Sequence, residues 1–265
     1  MNDIAASPAG AGPGPRLASF FVGTFRAMVS TYRLGGLAWL AAPAILAIAV
    51  LPELAQHMAE IHLGMFDSKE AARAVANDPL RWAFGYLKIA GLVVAILATA
   101  RFWALGSVRR ALLIAPGNLF RLVLAIALTL AAELPFALLK QTSNSEVLDG
   151  ILTAASMLVQ AGLLVYLVGA LLDDPSNGLR RAFTDRWPTA LLITLLAALA
   201  FLPAQTLHHA NHMAALGQHP LLVWALMIFD SLLVGLMAVL VGSALFVGYR
   251  AGPTWRGWSE RPGMR

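Results

Sequence analysis

Residues 221–248 read LLVWALMIFDSLLVGLMAVLVGSALFVG, and within this run Asp230 is the sole charged residue. An apolar stretch of this length exceeds the roughly 20 residues that carry a helix across a ~30 Å hydrocarbon core. It also lacks the alternation of a barrel strand, whose residues face lipid and lumen in turn. In a bilayer every backbone N–H and C=O has to be satisfied within the protein, so the run reads as a transmembrane helix. Working outward, five more such stretches lie near residues 35–55, 82–105, 119–139, 150–172 and 188–207. The expected fold is all-α: a polytopic membrane protein with six transmembrane helices.

Composition agrees. Charged residues make up 12% of the 265 positions and hydrophobic ones 59%, whereas soluble domains carry about 25% charged residues. The basic balance, net +5, raises the question of nucleic acid, but the cations are sorted by membrane side. With the N-terminus taken as cytoplasmic, fourteen fall on that side: Arg16, Arg26, Arg33, Arg101, Arg109, Arg110, Arg121, Arg180, Arg181, Arg186, Arg250, Arg256, Arg261 and Arg265. The opposite side has four, Lys69, Arg73, Arg81 and Lys140. This is the positive-inside asymmetry, which orients both termini toward the cytoplasm. It also offers Arg109, Arg110, Arg180 and Arg181 to anionic lipid head groups and makes nucleic acid an unneeded partner. Sixteen arginines against three lysines, in an Ala- and Leu-rich chain, suit a GC-rich bacterial genome and an inner-membrane location.

The opening MNDIAASPAGAGPGP has no basic n-region or apolar core of a signal peptide. Residues 1–16 read as a disordered tail, 17–250 as the membrane domain and 251–265 as a cytoplasmic tail. Leu17, Phe20, Phe21, Phe25, Met28, Val29 and Tyr32 recur at helical spacing ahead of the first span. They form an amphipathic helix that either lies in the membrane interface or packs flat on the bundle. With no cysteine in the chain, disulfides and thiolate metal sites are excluded.

An internal repeat follows. FRAM, RRAL (Arg109–Leu112) and RRAF (Arg180–Phe183) each lead an apolar span that reaches a Leu-Pro pair, in VLPELAQH, ELPFALLK and FLPAQTLH. The intervals from Arg-Ala to proline are 26, 25 and 22 residues. The second helices end alike, in LVGALLDD and LVGSALFV. This phasing implies three hairpins, each led by an interfacial segment and arranged about a pseudo-threefold axis. Six spans in three hairpins with basic Arg-Ala leaders resemble the bacterial membrane domain found beside glycerophosphodiester phosphodiesterases, and YciC-type membrane proteins. The resemblance covers most of the chain after residue 17 and rests on layout, so it implies a fold and a link to lipid head groups but no functional residue.

Two constellations could carry chemistry. FLPAQTLHHANHMAALGQHP, residues 201–220, holds four of the six histidines. His208 and His212 share a helix face, and with His57 and His209 they offer imidazoles suited to Zn²⁺ or Cu²⁺, which Glu53 or His219 could complete. On the expected topology these residues lie beyond the span ends, at the outer face. His57, Lys140 and His208 each stand five residues after a Leu-Pro proline and would converge on the axis, the lysine suiting an anion. The alternative is a polar cap on a hydrophobic hairpin, with no cofactor.

The other constellation is intramembrane: Lys88, Glu133, Gln160 and Asp230. A charge in lipid is costly unless paired, and pairing Lys88 with Glu133 or Asp230 is the economical arrangement. The group either lines a proton or solute path or fixes helix register. Trp103, Trp187, Trp255 and Trp258 read as an aromatic belt, and Gly162, Gly169, Gly235 and Gly242 as close-packing positions. No phosphate loop, HExxH or nucleophile elbow is present.

Together these features point first to a non-enzymatic multi-pass inner-membrane protein. It would serve in envelope lipid or solute handling, or as a membrane subunit of a larger complex, with lipids and other subunits as partners. The alternative is a transporter or sensor binding a transition metal at the outer histidines.

Overall fold

The computed structural model describes residues 13–143 and 145–252, with side chains described from residue 21 onward. Among the described residues there are ten helices: α1 (Pro13–Ala41), α2 (Pro43–His62), α3 (Lys69–Ala74), α4 (Pro79–Leu105), α5 (Val108–Leu112), α6 (Pro116–Thr142), α7 (Glu146–Leu171), α8 (Leu179–Thr184), α9 (Trp187–Ala215) and α10 (Pro220–Ala251). Helices α2, α4, α6, α7, α9 and α10 are each long and apolar enough to cross a membrane. The fold is an all-helical, multi-pass membrane protein.

Local chemistry sets the helix starts. Five of the six long helices, all but α7, have proline in their first turn, where the missing N–H is not required. Helix α7 begins with Ser145, whose side chain accepts from Leu148 N, and α4 ends at Gly106, in the left-handed conformation that only glycine adopts without strain.

Four sequence-based boundaries differ. The span expected at 35–55 is broken at Ala42, and Gly35–Ala41 belongs to α1. Pro43 disfavours helical geometry in the residue before it, and Ala42 sits at φ −143°, ψ 51°. Pro52, Pro135 and Pro203, expected to close their spans, lie inside α2, α6 and α9, which run on to His62, Thr142 and Ala215. A membrane helix tolerates proline because neighbouring groups re-satisfy the freed carbonyl. The consequence is functional: His57, His208 and His212 lie within spanning helices, not beyond them.

Helix α10 is the axis of the bundle, packed against α1, α2, α4, α7 and α9. In its most apolar stretch 78% of residues are buried, against 11% in α6. The glycines of α10 permit this: Gly235 lies against Leu46 and Val50, and Gly242 against Thr99 and the Ile96 carbonyl. Gly162 and Gly169 meet Phe183 and Asn177 in the same close manner. Helix α1 takes the packed alternative. Ala27, Thr31 and Ala38 are buried, Gly35 meets Leu240, and the Tyr32 hydroxyl donates to Leu199 O at 2.8 Å.

At the end of the bundle bearing α5 and α8, arginines tie the turns together. Arg101, 3% exposed, donates to Leu171 O at 2.6 Å, Ala111 O at 3.1 Å and Asp173 Oδ1 at 3.1 Å. Arg121 donates to Asp174 O and Asn177 O. Burial pushes the Asp174 carboxyl up, but bonds from the Tyr249 hydroxyl and Ser176, with the Arg186 charge, hold it below its ordinary value. Trp103 donates to Ser243 Oγ at 3.0 Å between α4 and α10, so it serves packing more than a belt. Trp255 and Trp258 lie outside the described residues, as do most of the two expected tails.

Candidate metal centre

Helix geometry gathers the site. On α2, Glu53, His57 and Glu60 recur at i, i+4 and i+7, one face of the helix, and all three are buried. On α9, His208, Asn211 and His212 share a face in the same way. Asp230 of α10 lies ten residues, ~15 Å, from Pro220 and is fully buried between the two.

Asp230 organises the contacts. Its Oδ2 lies 2.6 Å from His208 Nδ1, 3.1 Å from His57 Nε2 and 3.5 Å from His212 Nε2. Its Oδ1 accepts from Asn211 Nδ2 at 3.0 Å. His57 Nε2 is also 3.2 Å from Glu53 Oε1, while its Nδ1 is 3.2 Å from Glu60 Oε2. Glu60 in turn accepts from Gln56 Nε2 at 3.0 Å and Arg81 Nε at 3.1 Å. The His212 ring lies near His57 and His208, at centroid distances of 5.1 and 4.7 Å.

Two features of this cluster go beyond a polar cap. First, ligand atoms of Glu53, His57, His212 and Asp230 all lie within 4.8 Å of one another. Second, polar atoms of these residues lack partners: His212 Nε2 and both carboxylate oxygens of Glu53 are buried and make no hydrogen bond. Lys88 Nζ stands 2.9 Å from Glu53 Oε1, an ion pair by distance without hydrogen-bond geometry. Buried polar groups are nearly always bonded, so unbonded ligand atoms within this group make it a candidate cation site. A neutral imidazole has one N–H, yet both nitrogens of His57 face carboxylate oxygens, which only accept. A second ring proton resolves this, and so does a cation on Nε2 with Nδ1–H left to donate to Glu60. The latter is the carboxylate–histidine–metal relay by which outer residues orient a ligand.

The mixed set of two imidazoles and two carboxylates fits Zn²⁺ and other divalent first-row metals. With neutral imidazoles, Glu53, Glu60 and Asp230 outweigh Lys88 and Arg81 by one charge, so the site favours a cation. A cavity of about 320 Å³, lined in part by Glu60, Arg81, Lys88, His208, His209 and His212, leads to the cluster from the end opposite α5 and α8.

Several expected residues fall elsewhere. His209 is exposed on the cavity wall and turned one position off the ligand face. His219 caps α10, accepting from Leu221 N at 3.3 Å. His57 and His208 do meet, on Asp230, but Lys140 does not join them; it lies in α6, near Glu133. Lys88 pairs with Glu53, not with Glu133 or Asp230. Glu133 Oε2 accepts from Ser156 Oγ at 2.6 Å and Gln160 Nε2 at 3.3 Å, so Gln160 belongs to that separate group. Arg109, Arg110, Arg180 and Arg181 are exposed on α5 and α8. Glu60 was missed, and Glu53 was seen only as a completing ligand, because ending the first span near residue 55 left most of PELAQHMAEIH outside a helix. The signal was its i, i+4, i+7 pattern of Glu, His and Glu.

Comparison with protein-family models, with curated proteins and with solved structures finds no match for this chain.

Proposed function

We infer that this membrane protein binds a divalent transition metal ion, held by Glu53, His57, His212 and Asp230 between α2, α9 and α10. One observation carries the reading: ligand atoms of Glu53, His57, His212 and Asp230 all lie within 4.8 Å of one another, and His212 Nε2 and both Glu53 carboxylate oxygens are buried without a hydrogen bond. His208 and Asn211 hold the Asp230 carboxylate, and Glu60 holds His57, so these two ligands keep one orientation. Below Asp230, Leu233, Val234 and Met237 of α10 pack in one apolar cluster with Leu196 and Ala200 of α9. Access from one end over a packed apolar floor supports a sensor or metal-loaded binding protein more than an open conduit. On the orientation that the arginine distribution implies, the metal arrives from the periplasmic side of a bacterial inner membrane.

A second observation supports a lipid-facing role at the other end. Arg109, Arg110, Arg180 and Arg181 are exposed and form no ion pair with a described carboxylate, leaving them to anionic head groups.

The test is elemental analysis of the gently purified protein beside a His57→Ala/His212→Ala variant. Zinc, manganese, iron or cobalt near one equivalent, lost in the variant, supports the site. No metal in the purified protein, and no uptake when zinc is added near neutral pH, would remove it.

A further inference from the structure

Glu133 presents a different problem, independent of the metal centre. It lies on α6, nine residues or ~14 Å from Thr142, well inside a span of 27 residues. Its side chain is exposed on the bundle surface. Ser156 and Gln160 bond one carboxylate oxygen, Oε2, and Gln160 Nε2 also donates to Thr129 O at 3.1 Å. Oε1 has no partner among the described residues. Around it the surface is apolar: Leu130 and Leu134 on α6 are 70% and 60% exposed, and Met157 on α7 is 66% exposed. Helix α6 packs along α7 and meets the core through Leu122, Ala125 and the half-buried Leu128.

A half-satisfied carboxylate facing lipid is among the costliest arrangements a membrane helix can carry, and such groups normally meet a partner. We propose that the exposed face of the α6–α7 hairpin, centred on Glu133, docks a transmembrane helix of a different protein that carries a lysine or arginine at matching depth. Charge complementarity selects the occupant. Within a membrane, a second copy of this chain would have to offer a cation at the level of Glu133. Arg101 bonds Leu171 O, which sets α4 and α7 level at that end. Counting back, Ser156 lies fifteen residues from Leu171 and Lys88 thirteen from Arg101, so Lys88 shares the depth of Glu133. That lysine is already paired with Glu53, and Lys140 lies seven residues nearer the end of α6. A copy in a twofold contact would instead bring like charges together. The cation therefore comes from elsewhere.

The experiment places a photo-crosslinking residue at Leu130 or Leu134 of the full chain in native membranes, with Val93 of α4 as the control position. Expected are a discrete protein adduct from α6 and none from Val93, with the adduct mapping to a transmembrane segment bearing lysine or arginine. Glu133→Gln lowers its yield at least tenfold, Glu133→Asp retains it, and both variants stay monodisperse in detergent. Reversing the charge of the partner residue abolishes the adduct, and Glu133→Lys in that background restores it. Adducts with lipid only, with a second copy of this chain, or with a segment lacking a basic residue would overturn the proposal. So would a yield unchanged by Glu133→Gln.

Discussion

Asp230 and Glu133 are both lone carboxylates in apolar helices, and the bundle treats them in opposite ways. Asp230 sits on the most buried helix and meets three histidines and an asparagine from two others. Glu133 sits on the least buried spanning helix, with two polar neighbours from its own hairpin and lipid beyond. An intramembrane charge therefore has no fixed meaning. Its role follows from how many helices surround it: three enclose the proposed cation site, two leave the face proposed to dock another chain.

The largest expected effects separate these two. Asp230→Ala or His57→Ala removes a ligand, and metal affinity should fall by more than ~100-fold, beyond the 10–100-fold typical of outer-residue changes. Glu133→Ala should leave metal content at the wild-type value; its loss there would mean the two regions are coupled. Inductively coupled plasma analysis of matched preparations reads both.

Next comes the relay. Glu60→Gln keeps the size of the group at His57 Nδ1 but loses its charge, and zinc affinity should drop by ~10–100-fold, measured by competition with a chelator. His209→Ala, one position along the helix from His208, should change nothing in the same assay. Equal losses in both variants would restore the outer histidine cap as the better description. Metal affinity should also fall as pH drops, because protons compete with the metal for the ring nitrogens. Zinc retained fully at pH 5 would argue against imidazole ligands.

Packing gives a smaller contrast. A Cβ at Gly242 would collide with the Ile96 carbonyl and Thr99, while Gly117, in the first turn of α6, has nothing near it. Gly242→Val should cost ~1–3 kcal/mol or more in detergent thermal unfolding, as overpacking does. Gly117→Ala should be near neutral, within ~0.5 kcal/mol of wild type.

The smallest effect belongs to Asp174, at the far end. Its folded carboxyl is held below the ordinary value, so its contribution to stability is present above the unfolded carboxylate range. That contribution is lost as pH falls through the folded value. Asp174→Asn should flatten the acid limb of the melting profile slightly, and an unchanged profile would remove this residue from the account.

Much of this protein was legible without coordinates. The six spans, the helical class and the place of the glycines follow from continuous apolar runs, because lipid permits few other backbone arrangements. The chemistry was not legible to the same degree. Ending the spans near 55 and 207 placed His57 and His208 beyond them and hid the helical spacing of Glu53, His57 and Glu60. Pairing Lys88 with Asp230 or Glu133 was electrostatically sound, but three carboxylates competed for one lysine, and only helix neighbourhood could choose Glu53.

The sequence by itself therefore determined that this chain is a membrane bundle, because hydrophobic length is a local property that each segment carries alone. The tertiary structure alone decided that α10 is central, that α6 is peripheral, and that Glu53, His57, His212 and Asp230 face one point. Those are relations among helices far apart in the chain, set by which small residues allow close approach, and no single segment encodes them.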